Sequence, residues 1–336
     1  MPISVLICDD SSFARKQMAK ALPSGWNVDI HYATDGLEGL EVLKATASKI
    51  VFLDLNMPVL DGYQVLEHIQ RQKLDCKVIV ISGDIQPEAH ERVMALGALA
   101  FIKKPCVTEQ VKEILEKYNL LSITDSDSNA TITPQKNINF QVGLQDIYAE
   151  VANIAMGRAA DLLARLLDAF VIMPIPKVNM IELSELHMAL HHVAVSDKHS
   201  AVCQGFIGAG IAGEAFMIFN ESSFTDIASL MKYNGDIDED VQMELLMDIS
   251  NILIGACTKG IAEQLDLTFS LGHPVVLGRH VKIQDILKHT ANRWQKTLAI
   301  EIAYTIENKK INCDLLLLFT EDSIAPLNER LSYLID

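Results

Sequence analysis

In the first third of the chain, charged and hydroxyl residues stand at the ends of short apolar runs. Asp9-Asp10 follow "SVLIC", Asp54 follows "IVFL", Ser82 follows "KVIVI" and Lys104-Pro105 follow "AFIK". Three carboxylates brought within about 4–6 Å of one another would repel, so together they imply a cation. Mg²⁺ suits an all-oxygen shell of this kind. An aspartate can accept a phosphoryl group as an acyl phosphate, which makes Asp54 the candidate nucleophile. Lys104 would neutralise phosphoryl oxygens and Ser82 would hydrogen-bond one of them.

These residues act together only if the elements beneath them bring the run ends to one edge. The β-branched runs alternate with helical segments such as "SSFARKQMAKAL", opened by a serine cap. Such alternation predicts a parallel sheet covered on both faces, with its chemistry at the carboxyl ends of the strands. From Ser122 to about Asn137 the text becomes "SITDSDSNATITPQKN", which is polar and aperiodic and reads as a flexible linker. The expected division is a first domain over 1–121, a linker over 122–138 and a second domain over 139–336.

With its acids, hydroxyl and lysine in this order, the segment from Met1 to about Leu121 resembles a response-regulator receiver domain of the CheY-like α/β fold. The resemblance implies strand order 2-1-3-4-5. It implies that Asp9, Asp10, Asp54 and the Asn56 carbonyl hold Mg²⁺, and that a histidine kinase phosphorylates Asp54. Ser82 and Phe101 would form the switch pair. "DLNMPVLDG" matches the family's loop after the phosphoacceptor without a gap.

Beyond the linker one awkward helix occurs twice. "DIYAEVANIAMG" carries Asp146, Glu150, Asn153 and Gly157, and "ELLMDISNILIG" carries Glu244, Asp248, Asn251 and Gly255, 98 residues later. In each copy a proline, Pro176 or Pro274, follows the asparagine after 22 intervening residues. Each half then has an apolar run with a shared ending, "AFMIFNESS" (Phe219, Glu221, Ser223) and "LLLLFTEDS" (Phe319, Glu321, Ser323), at an offset of 100. Two repeats, about 140–232 and 238–336, should therefore pack about a pseudo-twofold axis as an α+β unit, with a shared sheet and a helix pair outside. On a helical wheel the polar residues and glycine of each copy fall within about 60°. Ile147, Val151 and Ile154, or Leu245, Ile249 and Ile252, lie beside them and face the core. The expectation is an exposed polar ridge with a glycine notch. Like charges at i,i+4 cost roughly 0.2–0.5 kcal/mol and a mid-helix glycine about 1 kcal/mol. A merely solvated face gives no reason to repeat those costs.

This repeated pattern resembles the CheC, CheX and FliY group of phosphatases, which remove phosphate from receiver domains. The resemblance implies that Glu150 grips a receiver's active-site lysine and that Asn153 holds a water in line with phosphorus. Asp248 and Asn251 would do the same in the second copy, where an aspartate stands in place of the group's glutamate. It implies a hydrolase acting on a protein aspartyl phosphate, in a chemotaxis-type pathway, and phosphorylation of Asp54 is expected to adjust that activity. The main substrate is expected to be a separate phosphorylated receiver. The alternatives are a non-enzymatic docking domain and a self-dephosphorylating phosphate sink.

The remaining features narrow the partners. The 336 residues carry a net charge of −16 and are 49% hydrophobic, which favours two or three well-cored domains and argues against nucleic acid. No apolar run is long enough to span a bilayer and no cleavable leader is seen, so a cytoplasmic protein without membrane insertion is expected. Six cysteines form neither a CxxC nor a zinc spacing and read as reduced thiols. His187, His191 and His192, with His199 nearby, read as part of a strand rather than a metal site. His273 reads as structural, and Ser250 has no His–Asp partner. A homodimer is left open.

Overall fold

The computed structural model describes residues 2–122, 142–182, 199–279, 296–309 and 311–334. The predicted linker and the histidine run at 187–192 lie outside the described residues. Two compact units divide at Glu150/Val151.

The first unit holds five strands, β1 (Ile3–Cys8), β2 (Val28–Ala33), β3 (Ile50–Leu53), β4 (Lys77–Ser82) and β5 (Ala100–Lys103). They pair in parallel in the order β2-β1-β3-β4-β5, as anticipated. The helices are α1 (Ser12–Ala21), α2 (Gly36–Thr46), α3 (Gly62–Gln72), α4 (Pro87–Ala95) and α5 (Thr108–Lys117). Two separate apolar clusters lie on the two faces of the sheet: one contains Leu6, Leu53 and Val80, the other Ile7, Phe52 and Ile81. Alternate residues of each strand feed opposite clusters because strand side chains alternate faces. Burial on both sides explains why the strands read as continuous apolar runs.

Local caps fix where the helices begin. Ser11 caps α1 by accepting from the Ala14 amide, and Asp61 forms a reciprocal capping box with Gln64 at α3. Gly62, the first residue of α3, lies against the phosphoacceptor strand. A Cβ there would stand 2.2 Å from the Asp54 carbonyl oxygen and 2.8 Å from Leu55 Cα.

The second unit begins within α6 (Leu144–Leu167), whose opening turns belong to the first unit. Its strands are β6 (Val171–Ile172), β7 (Lys177–Glu182), β8 (His199–Gly208), β9 (Ile211–Asn220), β10 (Ser270–Leu271), β11 (Val275–Arg279), β12 (Lys296–Ile306) and β13 (Asn312–Phe319). They make one antiparallel sheet ordered β10-β8-β9-β13-β12-β6, with β11 added on β8 and β7 on β12. The helices are α7 (Phe224–Leu230), α8 (Glu239–Gln264) and α9 (Ile324–Ser332).

The register of the central pair demonstrates the repeat. Gly213 pairs with Phe319 and Cys313 pairs with Phe219, so exchanging the two halves maps the β9–β13 ladder onto itself. The dyad passes between Phe216 and Leu316, which face each other. Pro176 and Pro274 each immediately precede an equivalent strand, β7 or β11, which accounts for the shared interval. The offset grows from 98 to 100 at the hairpins. β8 and β9 are joined by Ala209 and Gly210, both at positive φ, whereas the β12–β13 connection, 307–311, is longer. The endings are also reciprocal: Ser323 Oγ accepts from the Ala212 amide at 2.7 Å, and Ser223 Oγ accepts from the Asn312 amide at 3.4 Å.

α8 packs on β8 and β9. Gly260 brings it close to α6, since a Cβ at 260 would lie 2.9 Å from Ala155 Cα. Among the described residues α8 alone is long and apolar enough to cross a membrane, and its most apolar stretch is 61% buried. The six cysteines are free thiols, as expected.

Replacing Gly62 with Ala should destabilise the first unit by about 1–3 kcal/mol, because the new methyl meets backbone rather than a side chain that can turn away. A lowered Tm in thermal denaturation checks this, and an unchanged Tm would contradict the close approach.

Candidate functional site

The ends of β1, β3, β4 and β5 converge because parallel strands terminate on one edge. Asp9 and Asp10 follow β1 and Asp54 follows β3. The Lys104 amide continues the ladder by donating to the Ser82 carbonyl at 2.9 Å. Carboxylate oxygens of Asp9, Asp10 and Asp54 all lie within 4.8 Å of one another. Asp9 and Asp54 are each 95% or more buried. Asn56 sits two residues past Asp54, in the loop leading to α3.

Lys104 is the hub. Its Nζ stands 2.7 Å from Asp9 Oδ2, 3.2 Å from Asp54 Oδ2 and 3.2 Å from Glu150 Oε1. Burial opposes its charge, but Asp54, Asp9 and Glu150 outweigh that and hold the ammonium well above its ordinary range. Burial pushes the Asp54 carboxyl well above the usual carboxylate range, with Lys104 opposing and Asp9 and Glu150 reinforcing the rise. Asp10 is driven up to about 6, first by burial and then by Asp9. Glu150 is driven up to about 7, mainly by burial, with Lys104 pulling it down.

The two oxygens of Asp54 have different surroundings. Oδ1 accepts from the Leu55 amide at 2.8 Å. Oδ2 faces Lys104 across 3.2 Å, close enough for an ion pair but without the alignment of a hydrogen bond. A cleft opens here, lined by Asp9, Asp54, Lys104, Pro105 and Glu150. Around it four carboxyl groups (Asp9, Asp10, Asp54, Glu150) outnumber two cations (Lys104, Arg15). This oxygen-only set, with one buried oxygen lacking a hydrogen-bond donor, fits a divalent cation such as Mg²⁺.

Ser82 is fully buried, and its Oγ accepts from the Asp84 amide at 3.1 Å. Phe101 is half-buried and meets His90 edge-on, ring centroids 5.5 Å apart. Two contributors escaped the sequence reading. Arg15 Nη1 donates to the carbonyls of Asp9 (2.6 Å) and Asp10 (3.1 Å), locking the acidic turn. The available signal was an arginine on the buried face of α1, three residues before Met18. Ser12 Oγ donates to Asp146 Oδ2. With Ser12 on Asp146 and Lys104 on Glu150, the like charges at i,i+4 each have their own partner.

The expectation of two exposed ridges holds for one copy only. Glu150 and Asn153 are 4% and 6% exposed, whereas Glu244, Asp248 and Asn251 are exposed. The wheel assigned the apolar flanks correctly: Ile147, Val151, Ile154, Leu245 and Ile249 are buried and Ile252 is partly so. It could not foresee that the polar side of α6 is covered as well. Ser250 is buried in α8. His273 precedes β11 and is exposed.

Comparison with known proteins bears on the first unit. The family model described as "Response regulator receiver domain" matches residues 5–116. The chain is 35% identical over 114 residues to chemotaxis protein CheY of Treponema pallidum, covering 33% of this chain and 79% of that protein. It is 38% identical over 117 residues to protein-glutamate methylesterase/protein-glutamine glutaminase 3 of Geobacter sulfurreducens, covering 34% of this chain but only 31% of that one. The chain thus spans about a third of the length of several curated relatives. Among solved structures, a chain of the "CheX-CheY-BeF3-Mg+2 complex from Borrelia burgdorferi" matches at 30% identity and TM-score 0.34, covering 35% of this chain and 90% of that chain.

Replacing Asp54 with Asn should abolish labelling by acetyl phosphate, and chelating divalent cations with EDTA should abolish labelling of the unaltered chain. Retained label in the Asp54→Asn variant, followed on Phos-tag gels, would place the nucleophile elsewhere.

Proposed function

The chain belongs to the response-regulator receiver family, and from that premise we propose that its second unit is a CheC-type phosphatase acting on the aspartyl phosphate of a receiver. The ion pair between Glu150 and Lys104, 3.2 Å long, carries this reading. A receiver's phosphate-binding lysine is held by the very glutamate that the repeated helix motif assigns to that task. Asn153 lies three residues further along the same helix, about 60° around it, and is therefore on the same face.

The chemistry follows from these placements. Asp54, phosphorylated by a histidine kinase or a small phosphodonor, carries the phosphoryl group on a carboxylate oxygen. Asn153 accepts from a water with its amide oxygen and orients it in line with the phosphorus of a receiver's aspartyl phosphate. The water oxygen bonds to phosphorus and the bond from phosphorus to the aspartyl oxygen breaks. The aspartate regains its carboxylate, and the water's proton leaves with inorganic phosphate or to solvent. Glu150 fixes Lys104, and Lys104 neutralises phosphoryl oxygens. Mg²⁺, held by Asp9, Asp10, Asp54 and the Asn56 carbonyl when bound, would supply further charge neutralisation. Phosphoryl transfer depends mainly on such positioning and electrostatics.

The main substrate on this reading is a separate phosphorylated receiver, with self-dephosphorylation of Asp54 as the alternative. Replacing Asn153 with Ala should lower the rate of aspartyl-phosphate clearance about 10- to 100-fold, equivalent to about 1.4–2.7 kcal/mol of barrier. The half-life of an acetyl-phosphate-labelled receiver mixed with the chain checks this. An unchanged half-life would leave a docking domain without catalysis.

A further inference from the structure

Two of the three clustered aspartates, Asp9 and Asp10, hang from one short turn between β1 and α1. Arg15 reaches that turn from α1, because long side chains on a helix lean back toward its N-terminus. Its Nη1 donates to the Asp9 carbonyl at 2.6 Å and to the Asp10 carbonyl at 3.1 Å. In a trans peptide the carbonyl and the amide hydrogen of one plane point in opposite directions. The Asp10–Ser11 peptide is trans. With its carbonyl on Arg15, its amide is turned the other way, and there the Ser11 amide donates to Asp9 Oδ1 at 2.9 Å. The second oxygen, Asp9 Oδ2, stands 2.7 Å from Lys104 Nζ. One guanidinium thus fixes the peptide plane that in turn fixes a carboxylate. We propose that Arg15 is a positioning residue for the divalent cation used in phosphorylation of Asp54, acting through the Asp10–Ser11 peptide rather than on the ion.

Two observations separate this role from a share in helix formation or in simple electrostatics. Arg15 is the fourth residue of α1, is only 8% exposed, and has no acid in the first turn of its helix. A cation near a helix N-terminus opposes the helix dipole, so α1 itself does not call for an arginine at this position. The carbonyls of the acidic turn do. The second observation is the sign of the charge. A guanidinium held against the acidic turn repels a metal ion that the same carboxylates attract. Arg15 can therefore favour the ion only through geometry, by orienting the groups that bind it. Geometry and charge predict opposite effects of removing it.

The test reads cation binding directly, on the full-length chain. Mn²⁺ takes the same oxygen ligands as Mg²⁺, and its free form is counted by electron paramagnetic resonance. Binding is scored for the site that Asp10→Asn removes. Arg15→Met keeps an apolar stem and removes both the donors and the charge. At a temperature well below its Tm, this variant should show a Kd for Mn²⁺ raised at least about tenfold. Loss of repulsion alone would lower that Kd. The initial rate of Asp54 labelling by acetyl phosphate should fall in the same variant at limiting Mg²⁺ and recover at saturating Mg²⁺, a dependence that a merely weakened fold does not produce. Should Arg15→Met fail to fold, Arg15→Lys decides, because it keeps the charge without the planar guanidinium. Positioning then requires a Kd at least about twofold higher, and charge alone an unchanged one. The proposal is overturned if Asp10→Asn removes no site, if the Kd of the folded Arg15 variant is unchanged or lowered, or if saturating Mg²⁺ leaves the labelling deficit in place. None of these outcomes depends on the phosphatase reading of the second unit, which the Asn153→Ala variant tests separately.

Discussion

Everything at the strand ends depends on one buried ammonium. A charge taken out of water costs several kcal/mol even after the protein relaxes, and that cost is offset only by well-placed opposite charge. Lys104 has three carboxylates within 3.2 Å, drawn from the ends of β1 and β3 and from α6. Its position is set by the β4–β5 ladder, so the register of a parallel sheet is converted into the geometry of an ion cluster. Arg15 holds the carbonyls of the acidic turn from the other side. Carboxyl oxygens outnumber cations in the cluster, which suits a divalent cation.

How much of this could be read from the chain depended on the kind of force involved. Strand order and the converging acids were legible because a doubly covered sheet writes its strands as apolar runs and its chemistry at their ends. Arg15 and Ser12 were not: Arg15 acts on backbone carbonyls of the turn just before it, which carry no side-chain signal, and Ser12 acts on a helix distant in sequence. The polar face of α6 shows the limit most clearly. A wheel assigns Asp146, Glu150 and Asn153 to one side, but composition cannot say whether water or protein lies there. Two acids at i,i+4 read as mutual repulsion until Ser12 and Lys104 are seen to serve one each.

The two long helices show how the same letters acquire different physics. In α6 the carboxylate is buried and its affinity for protons rises to about 7. In α8 its counterpart is exposed and stays in water's dielectric, where charges attract weakly. Within α8 itself two glycines differ as well: a Cβ at Gly255 would meet open space, whereas one at Gly260 would press on Ala155 of α6.

The dyad between Phe216 and Leu316 has a consequence for how such a sheet can vary. Were the two halves separate identical subunits, the residue on the axis would have to pack against its own image, and every substitution there would strike twice. Covalent fusion removes that self-complementarity. A phenyl ring can then lie opposite an isobutyl group, one hairpin can lengthen without its twin, and one half can specialise while the other keeps its original task.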